Sequence, residues 1–479
     1  MNDKAAWGGP AEMSAWEALL WRSEADPRTS STGILMEILD REPDWDRFVA
    51  AHDRISREIP RLRERVVVPA VQLVQPVWSP DPDFDLTYHV QSVRLPSPGT
   101  HRQLLDLCES ALARPQDPNR PPWQSFLVTG LSDDRAALLF KFHHSLTDGM
   151  GLIQLLALAH STSREPSASA DSSTLVPTPP RTPTTSAELL TGKLRARALG
   201  TPAELARRTI GVGSLIGRTV RKPSEVLGTG LGYAQSLKRV LTPPPAGRSP
   251  LLKGTGTANR FLTIEVSLPD LKVAGKAGGG SINDAFMAGF LGGMRRYHEH
   301  HGSSVDSLLI GMPISLRQEG EAGGNRFAGA RFAAPMAETD PLVRMELIRN
   351  FVRSARDEAA ISFLSQLSPI LTKLPSSAII EISAGLTASS DFQVSNIKGI
   401  DNEVFIAGAK VLGMYPLGPR PGVAGTLAMI TYNGTCYLGL NVNPDVFTDL
   451  DVLERCLIEG FAEVIEVGRP TTSSSKARP

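Results

Sequence analysis

The stretch LLFKFHHSLTDGMGLIQLL, residues 138–156, joins an apolar run to a helix-like run through a short polar segment. The apolar residues at 138–142 predict a buried strand, and LIQLLALA at 152–159 predicts a helix. Two adjacent histidines, His143 and His144, leave the strand where the loop begins. A histidine in that position can face a cleft, and its near-neutral pKa suits a general base for a hydroxyl or thiol. The simpler interpretation is a histidine that only bonds a backbone carbonyl.

The segments around this stretch indicate one mixed α/β half. Residues 31–40, 122–131 and 135–144 have the composition of strands, and SDD at 132–134 lies between the last two as a turn. Residues 44–63 and 104–114 have helical spacing, and Pro60 is expected to end the first of these helices.

A second α/β half is predicted from about residue 256. Residues 281–302 read as a helix, with Ser281 as its N-cap and Asp284 in its first turn. Residues 307–317 read as an apolar strand, and residues 449–468 as an amphipathic closing helix. Asn433-Gly434 lies between two strand-like runs and predicts a tight hairpin.

Between the halves the composition changes. Residues 161–185 are rich in Ser, Thr and Pro and read as a linker, while residues 183–240 hold ten Lys or Arg against three Glu. That basic segment is either a solvated crossover or an interfacial pair of helices on anionic lipid, and we favour the second interpretation.

We predict an N-terminal subdomain at 1–160, a linker and crossover at 161–255, a C-terminal subdomain at 256–468 and a disordered tail at 469–479.

Composition excludes several classes of function. The formal net charge is zero, which argues against nucleic acid as the main partner. Cys108, Cys436 and Cys456 are too few and too scattered for a disulfide framework or a zinc site. We expect no signal peptide and no membrane span. HEHH at 298–301 lies at a helix end without a carboxylate cluster, so no metal and no cofactor is predicted.

HHSLTDG, residues 143–149, matches the H-H-x-x-x-D-G signature of the chloramphenicol acetyltransferase and peptide-synthetase condensation superfamily. Within that superfamily the chain resembles the bacterial wax ester synthase/diacylglycerol acyltransferase family. The other matching segments follow in family order: DFDLTYHV (83–90), LPSPG (95–99), RPPWQSFLVTGL (120–131), SINDAFMAG (281–289), MPISLR (312–317), GGNRFAG (323–329) and VSNIKGI (394–400). Pro122, Lys398 and Ile400 depart from the family pattern, and so does the opening MSAWEALLW, which lacks the family's aspartate.

The resemblance implies roles for particular residues. His144 would be the general base, and His143 and Asp148 would shape its loop, Asp148 by pairing with an arginine for which Arg317 is one candidate. The implied substrate-contacting positions are Gly149, Asn283, Asp284, Ser395, Asn396 and Trp123. For four of these a structural interpretation stays open: Asn283 as a helix cap, Ser395 and Asn396 as part of a turn, and Trp123 as a core residue.

The resemblance also implies a fold and an activity. We expect two chloramphenicol-acetyltransferase-like α/β subdomains, with mixed sheets and flanking helices, packed side by side around an acyl/CoA tunnel. The activity would be transfer of an acyl group from acyl-CoA to diacylglycerol or a long-chain alcohol. The enzyme would be cytoplasmic and peripherally attached to the inner membrane or to lipid droplets.

Two alternatives remain at this stage. One is a condensation-type acyltransferase with a carrier-protein-bound donor, although no carrier-like Gly-x-Asp-Ser-Leu segment occurs in the chain. The other is a catalytically silent protein that binds lipid droplets, against which the intact His143, His144, Asp148 and Gly149 argue.

Overall fold

Two six-stranded sheets with flanking helices form the framework of the protein, as seen in a computed structural model. The structure describes residues 7–69, 75–165, 183–189, 191, 248–254, 256–315, 327–356, 377–381 and 390–469. The predicted mixed α/β class with two sheet-containing halves is confirmed. Most of the predicted linker and basic crossover, all but one residue of the predicted tail, and Arg317 lie outside the described residues.

The main elements are close to those predicted from the sequence. The strands are β1 (Thr32–Leu39), β2 (Glu64–Val67), β3 (Val77–Pro80), β4 (Val90–Arg94), β5 (Trp123–Thr129), β6 (Ala136–His143), β7 (Arg260–Ser267), β8 (Ser307–Ser315), β9 (Phe327–Pro335), β10 (Phe392–Ile400), β11 (Phe405–Ile406), β12 (Ala409–Leu417), β13 (Gly425–Tyr432) and β14 (Thr435–Val442). The main helices are α1 (Ala15–Ser23), α2 (Trp45–Glu58), α3 (Leu86–His89), α4 (His101–Ala113), α5 (Gly149–Ala159), α6 (Leu268–Ala277), α7 (Ile282–His300), α8 (Pro341–Arg356) and α9 (Leu450–Gly468).

The N-terminal sheet has the order β11-β12-β1-β6-β5-β4. Its centre is the antiparallel pair β1–β6, in which Thr32 lies opposite His143. β1 also pairs with β12, so residues 405–417 of the C-terminal half complete the N-terminal sheet. The predicted boundaries at 160 and 256 do not anticipate that the C-terminal half contributes strands to the N-terminal sheet.

The C-terminal sheet has the order β7-β14-β13-β10-β8-β9. One of its faces packs on the helices through a core that includes Phe286, Phe290, Leu427, Met429 and Phe461. The predicted hairpin is confirmed at β13–β14, where Asn433 and Gly434 have φ of 43° and 82°. Both values lie in the left-handed region that a type I′ turn requires.

The segment VSNIKGI, where a turn was one expectation, is instead part of strand β10. Its backbone runs parallel to β13, with an irregularity between Ile397 and Ile400. Lys398 and Ile400 stand where the resembled family has prolines. Proline has no N–H for a sheet ladder, so these two replacements suit a strand better than the family pattern does.

The two halves meet over the opposite face of the C-terminal sheet. Ile430, Tyr432 and Tyr437 belong to the apolar core of the N-terminal half. At one edge of this junction the Glu109 carboxylate accepts hydrogen bonds from Arg260 at 3.0 Å and from the Phe261 N–H at 2.9 Å. A cavity of about 360 Å³ opens between the halves, lined by residues that include Ile38, His101, Thr263, Glu265 and Tyr415.

Candidate active site

The H-H-x-x-x-D-G loop begins where β6 stops pairing. The His143 N–H donates to the Pro122 carbonyl at 3.1 Å, and the His144 N–H donates to the Ser31 carbonyl at 2.9 Å. The chain then turns, and the Asp148 side chain caps α5 by accepting the Gly151 N–H at 2.8 Å. The backbone of both histidines is therefore fixed by neighbouring strand ends before either ring makes a contact.

The ring of His144 lies at the junction of the two halves. It packs edge-on to Phe142 with centroids 5.2 Å apart, and it is half-buried. Gly33 borders its Nε2: a Cβ atom on Gly33 would lie 3.7 Å from that nitrogen, 3.4 Å from the Leu417 carbonyl oxygen and 3.6 Å from Pro419. A glycine in β1 therefore keeps space open beside the nitrogen.

The surroundings of His144 favour the neutral ring. Removal from bulk water is the main effect and lowers its pKa to about 4, although the charge of Asp148 and a hydrogen bond with the Thr147 backbone act in the opposite direction. At neutral pH the ring is therefore in the form that can accept a proton.

His143 faces away from that space and is almost completely buried. Its Nδ1 accepts the Ser145 N–H at 3.0 Å, so the proton of the neutral ring is on Nε2. Nε2 lies 3.2 Å from a carboxylate oxygen of Glu24. The indole of Trp21 packs edge-on against the same ring, with centroids 5.2 Å apart. Two hydrogen bonds and one aromatic contact therefore fix this imidazole.

Glu24, the residue after α1, connects the histidine loop to the start of β1. One of its oxygens accepts the Ser31 N–H at 2.6 Å and the His143 Nε2–H at 3.2 Å. The other accepts the hydroxyls of Ser30 at 2.8 Å and Thr32 at 2.9 Å. Burial acts to raise the pKa of this carboxyl, but the bonds from His143, Ser31 and Ser30 outweigh it and the pKa is lowered. Glu24 is thus held as a carboxylate.

Ser145, His143 and Glu24 have the order of a serine-hydrolase triad, since the Ser145 hydroxyl lies 2.7 Å from His143 Nδ1. A nucleophilic serine must reach its substrate, however, and Ser145 is completely buried. Its backbone N–H also occupies the Nδ1 lone pair that would have to take the hydroxyl proton. This arrangement stabilises the loop and cannot form an acyl-enzyme.

Two of the predicted substrate positions come close to the histidine loop. Gly149 contacts β10: a Cβ atom on it would lie 2.6 Å from Ile397 Cδ1. Side chains alternate along a strand, so Ser395 shares the face of Ile397 that is turned toward α5, and Asn396 lies on the other face. Asn396 is exposed. The structure brings Gly149 and the Ser395 face together and turns Asn396 away.

The remaining predicted positions lie elsewhere. Trp123 is part of the core, where its Nε1–H donates to the Leu62 carbonyl at 2.7 Å and its ring stacks on His89. The Asp284 carboxylate accepts the Ser281 N–H at 2.7 Å, as expected for the start of α7. Within the described residues, no contact joins Asn283 or Asp284 to the loop of His144.

Sequence reasoning missed Glu24 and Gly33. Glu24 is one acidic residue in a polar segment, and its only signal is its position shortly before a predicted strand. Gly33 interrupts an apolar strand, which is a sign of close approach by another group. Across the described ranges, no group of three or more His, Cys, Asp or Glu side chains could hold a metal ion. His298 of the HEHH segment bonds to the Met294 carbonyl and to Ser249.

Comparisons with known proteins identify the family of the chain. Residues 13–286 match the wax ester synthase/diacylglycerol acyltransferase catalytic domain, and residues 323–464 match the C-terminal domain of the same family. A putative diacylglycerol O-acyltransferase of Mycobacterium tuberculosis is 38% identical over 455 residues, which cover 95% of this chain and 91% of that protein. A probable diacylglycerol O-acyltransferase of the same species is 26% identical over 446 residues, covering 91% of each chain.

Solved structures agree on the fold. The wax ester synthase/diacylglycerol acyltransferase of Marinobacter aquaeolei aligns with a TM-score of 0.63 at 19% identity, covering 96% of this chain and 100% of that one. The first condensation domain of the calcium-dependent antibiotic synthetase aligns with a TM-score of 0.59 at 15% identity, covering 95% and 96%. The predicted family and two-subdomain architecture are confirmed. The chain belongs to the wax ester synthase/diacylglycerol acyltransferase family and is an acyltransferase.

Proposed function

We propose that this enzyme transfers an acyl group from acyl-CoA directly to the hydroxyl of a lipid alcohol, with His144 as the general base. The observation that carries the proposal is the His144 ring, held neutral at the junction of the halves with Nε2 beside the space left by Gly33. A base must be unprotonated and within reach of the hydroxyl that it activates. Nothing beyond acyl-CoA and the acceptor is required as a co-substrate.

The proposed reaction has two bond changes. His144 takes the acceptor proton as the hydroxyl oxygen bonds to the thioester carbonyl carbon, which gives a tetrahedral oxyanion. The carbon–sulfur bond then breaks, the ester forms, and the departing CoA sulfur takes the proton from His144. Because Ser145 is completely buried, the loop offers no accessible serine nucleophile, so the proposed transfer is direct and both substrates are bound at once. General-base help of this kind contributes about 10²–10⁴ in rate.

In this proposal His143 and Asp148 shape the loop, and the face of β10 that carries Ser395 lies along the substrate path next to Gly149. Asn283, Asp284, Asn396 and Trp123 remain proposals from family resemblance alone. The cavity between the halves near His101 and Tyr415 is a candidate for part of the substrate channel.

We take diacylglycerol as the main acceptor and long-chain alcohols as secondary ones. The Mycobacterium tuberculosis relatives carry the name diacylglycerol O-acyltransferase, which supports this order. The product would then be triacylglycerol, with wax esters formed from alcohols.

We also propose that the enzyme acts in the cytoplasm at the surface of the inner membrane or of lipid droplets. Residues 183–240 contain ten basic and three acidic side chains, and this positive charge supports attraction to anionic lipid. In the described part of the chain no helix combines the length and apolarity needed to cross a bilayer. Flotation with vesicles of anionic or zwitterionic lipid tests the proposal, and equal binding to both would contradict it.

The decisive test of the reaction measures thiol release from palmitoyl-CoA with dioleoylglycerol, with hexadecanol and with neither, for the wild type and His144→Ala. Acceptor-dependent release that is lost in the variant supports the base. Equal rates in the two proteins would refute it. No release with either acceptor would instead favour a carrier-bound donor or a lipid-binding protein without catalytic activity.

A further inference from the structure

Glu24 stands outside the H-H-x-x-x-D-G loop and 119 residues before His143, yet it contacts both sides of the site. On one side it bonds the ring of His143. On the other it bonds the Ser31 N–H, and the carbonyl of Ser31 accepts the His144 N–H at 2.9 Å. One carboxylate therefore fixes the side chain of the first histidine and, through a single residue, the backbone of the second.

The same carboxylate sets the position of Gly33. The hydroxyls of Ser30 and Thr32 bond its second oxygen, so three consecutive residues before Gly33 are attached to Glu24. Gly33 borders Nε2 of His144. Movement of this segment would change the space at that nitrogen as well as the position of the histidine itself.

We propose that Glu24 is a positioning residue for acyl transfer, which acts by holding the His143–His144 strand end and the 30–33 segment in register through its four hydrogen bonds. The inference rests on the proposed role of His144 as the base. It assigns to Glu24 a geometric task and not an electrostatic one, and two conservative variants separate these tasks.

Glu24→Gln keeps the reach of the side chain and removes its charge. The amide oxygen can accept the Ser31 N–H and the His143 Nε2–H, while the amide NH₂ donates to Ser30 and Thr32, whose hydroxyls can rotate to accept. Glu24→Asp keeps the charge, but its side chain is one methylene shorter. Its carboxylate cannot reach His143, Ser31 and the two hydroxyls at the same time.

The experiment measures kcat and KM for palmitoyl-CoA and dioleoylglycerol with both variants, beside His144→Ala and Glu37→Gln. Positioning predicts that Glu24→Gln keeps a kcat within a small factor of the wild type. It predicts that Glu24→Asp loses at least about tenfold in kcat and up to about 10²-fold, because small displacements of a reacting group are that costly. KM should change little in either variant, since the substrates still bind.

Each other outcome overturns the inference. A Glu24→Asp variant more active than Glu24→Gln would assign Glu24 an electrostatic role, and wild-type kcat in both would leave it no role. Loss in both together with a lowered melting temperature would indicate a general contribution to folding. Glu37→Gln is the matched control, because it alters another buried glutamate–histidine pair, which involves β1. An active His144→Ala would refute the proposed base, and with it the premise of this inference, whereas the Glu24 outcomes refute the positioning role alone.

Discussion

Two glutamate–histidine pairs lie along β1, one near each end, and they differ in how each imidazole is held. Near the active site, His143 Nε2 lies 3.2 Å from Glu24, which follows α1. Toward the other end, Glu37 of β1 lies 2.9 Å from Nε2 of His160, the residue after α5. The two rings differ in what their other nitrogen, Nδ1, contacts. Nδ1 of His143 accepts the Ser145 N–H, whereas Nδ1 of His160 faces the Leu156 carbonyl.

A ring with one accepting nitrogen is a neutral donor, and a ring facing two acceptors is best satisfied when protonated. Burial lowers the pKa of His160, but the charge and hydrogen bond of Glu37 and the bond to Leu156 outweigh it and the pKa is raised. His160 and Glu37 thus form a buried ion pair that ties the end of α5 to β1. Glu24 and His143 form an oriented hydrogen bond that serves the loop at the start of α5.

Loss of the proposed base should reduce activity far more than loss of the histidine at the other end of α5. His144→Ala should lower kcat by about 10²–10⁴, the usual contribution of a general base. His160→Gln, at the other end of α5, should leave kcat nearly unchanged, because it contacts neither the loop nor Gly33. Thiol-release assays with dioleoylglycerol measure kcat for both variants. A comparable loss of kcat in the two would contradict the conclusion that only the pair near the loop serves the active site.

The second prediction concerns stability and pH. Glu37→Gln should lower the free energy of unfolding by about 1–1.5 kcal/mol near pH 6, because its amide oxygen still accepts the His160 Nε2–H but no longer carries the charge that stabilises the buried imidazolium. The pKa of His160 is raised in the folded state, so its contribution is complete below the unfolded value of 6.5 and is lost as the pH rises through the folded value.

The difference between wild type and Glu37→Gln should therefore shrink as the pH is raised. Denaturant titrations at several pH values measure it, with Glu24→Gln as the control whose destabilisation should not follow this trend. A difference that grows with pH would contradict a protonated His160.

A neutral His144 should show in the pH dependence of the reaction. The pKa of His144 is lowered to about 4, so the free enzyme keeps its base form well below pH 6.5. The value of kcat/KM should stay flat from pH 8 down to about pH 5, where a histidine of ordinary pKa would already be mostly protonated. Initial rates with circular dichroism at each pH separate this effect from acid unfolding. A decline in kcat/KM centred on pH 6.5 with folding intact would contradict the assignment.

The smallest effect is expected at Gly33. A methyl group there would meet its neighbours at 3.4–3.7 Å, which is ordinary contact, so Gly33→Ala should fold normally. The methyl group reduces the space beside Nε2 and should lower kcat/KM several-fold more for dioleoylglycerol than for the slimmer hexadecanol. Gly311→Ala is a matched control in β8, where the nearest contacts are 3.6–3.8 Å. An unchanged ratio between the acceptors would show that Gly33 does not shape the acceptor site.

Local pattern was sufficient wherever neighbours in sequence set the geometry. The strand, loop and helix around HHSLTDG were predictable from periodicity, and Asn433-Gly434 specified its own turn because both residues tolerate positive φ. The Ser281 start of α7 followed from capping, which acts within one helical turn. The conformation of the Ser395-Asn396 segment was harder to predict. The resemblance to the family indicated a turn, whereas Lys398 and Ile400, which replace the prolines of the family pattern, allow a strand.

The histidine loop, the α/β class and the family could therefore be predicted from the sequence, because these depend on residue order and short-range periodicity. The contact of Glu24 with His143, the approach of Gly33 to His144 and the pairing of β12 with β1 emerged only from the folded structure. All three join residues more than a hundred positions apart, and no local propensity encodes such contacts. They depend on which strand ends meet when the two halves pack.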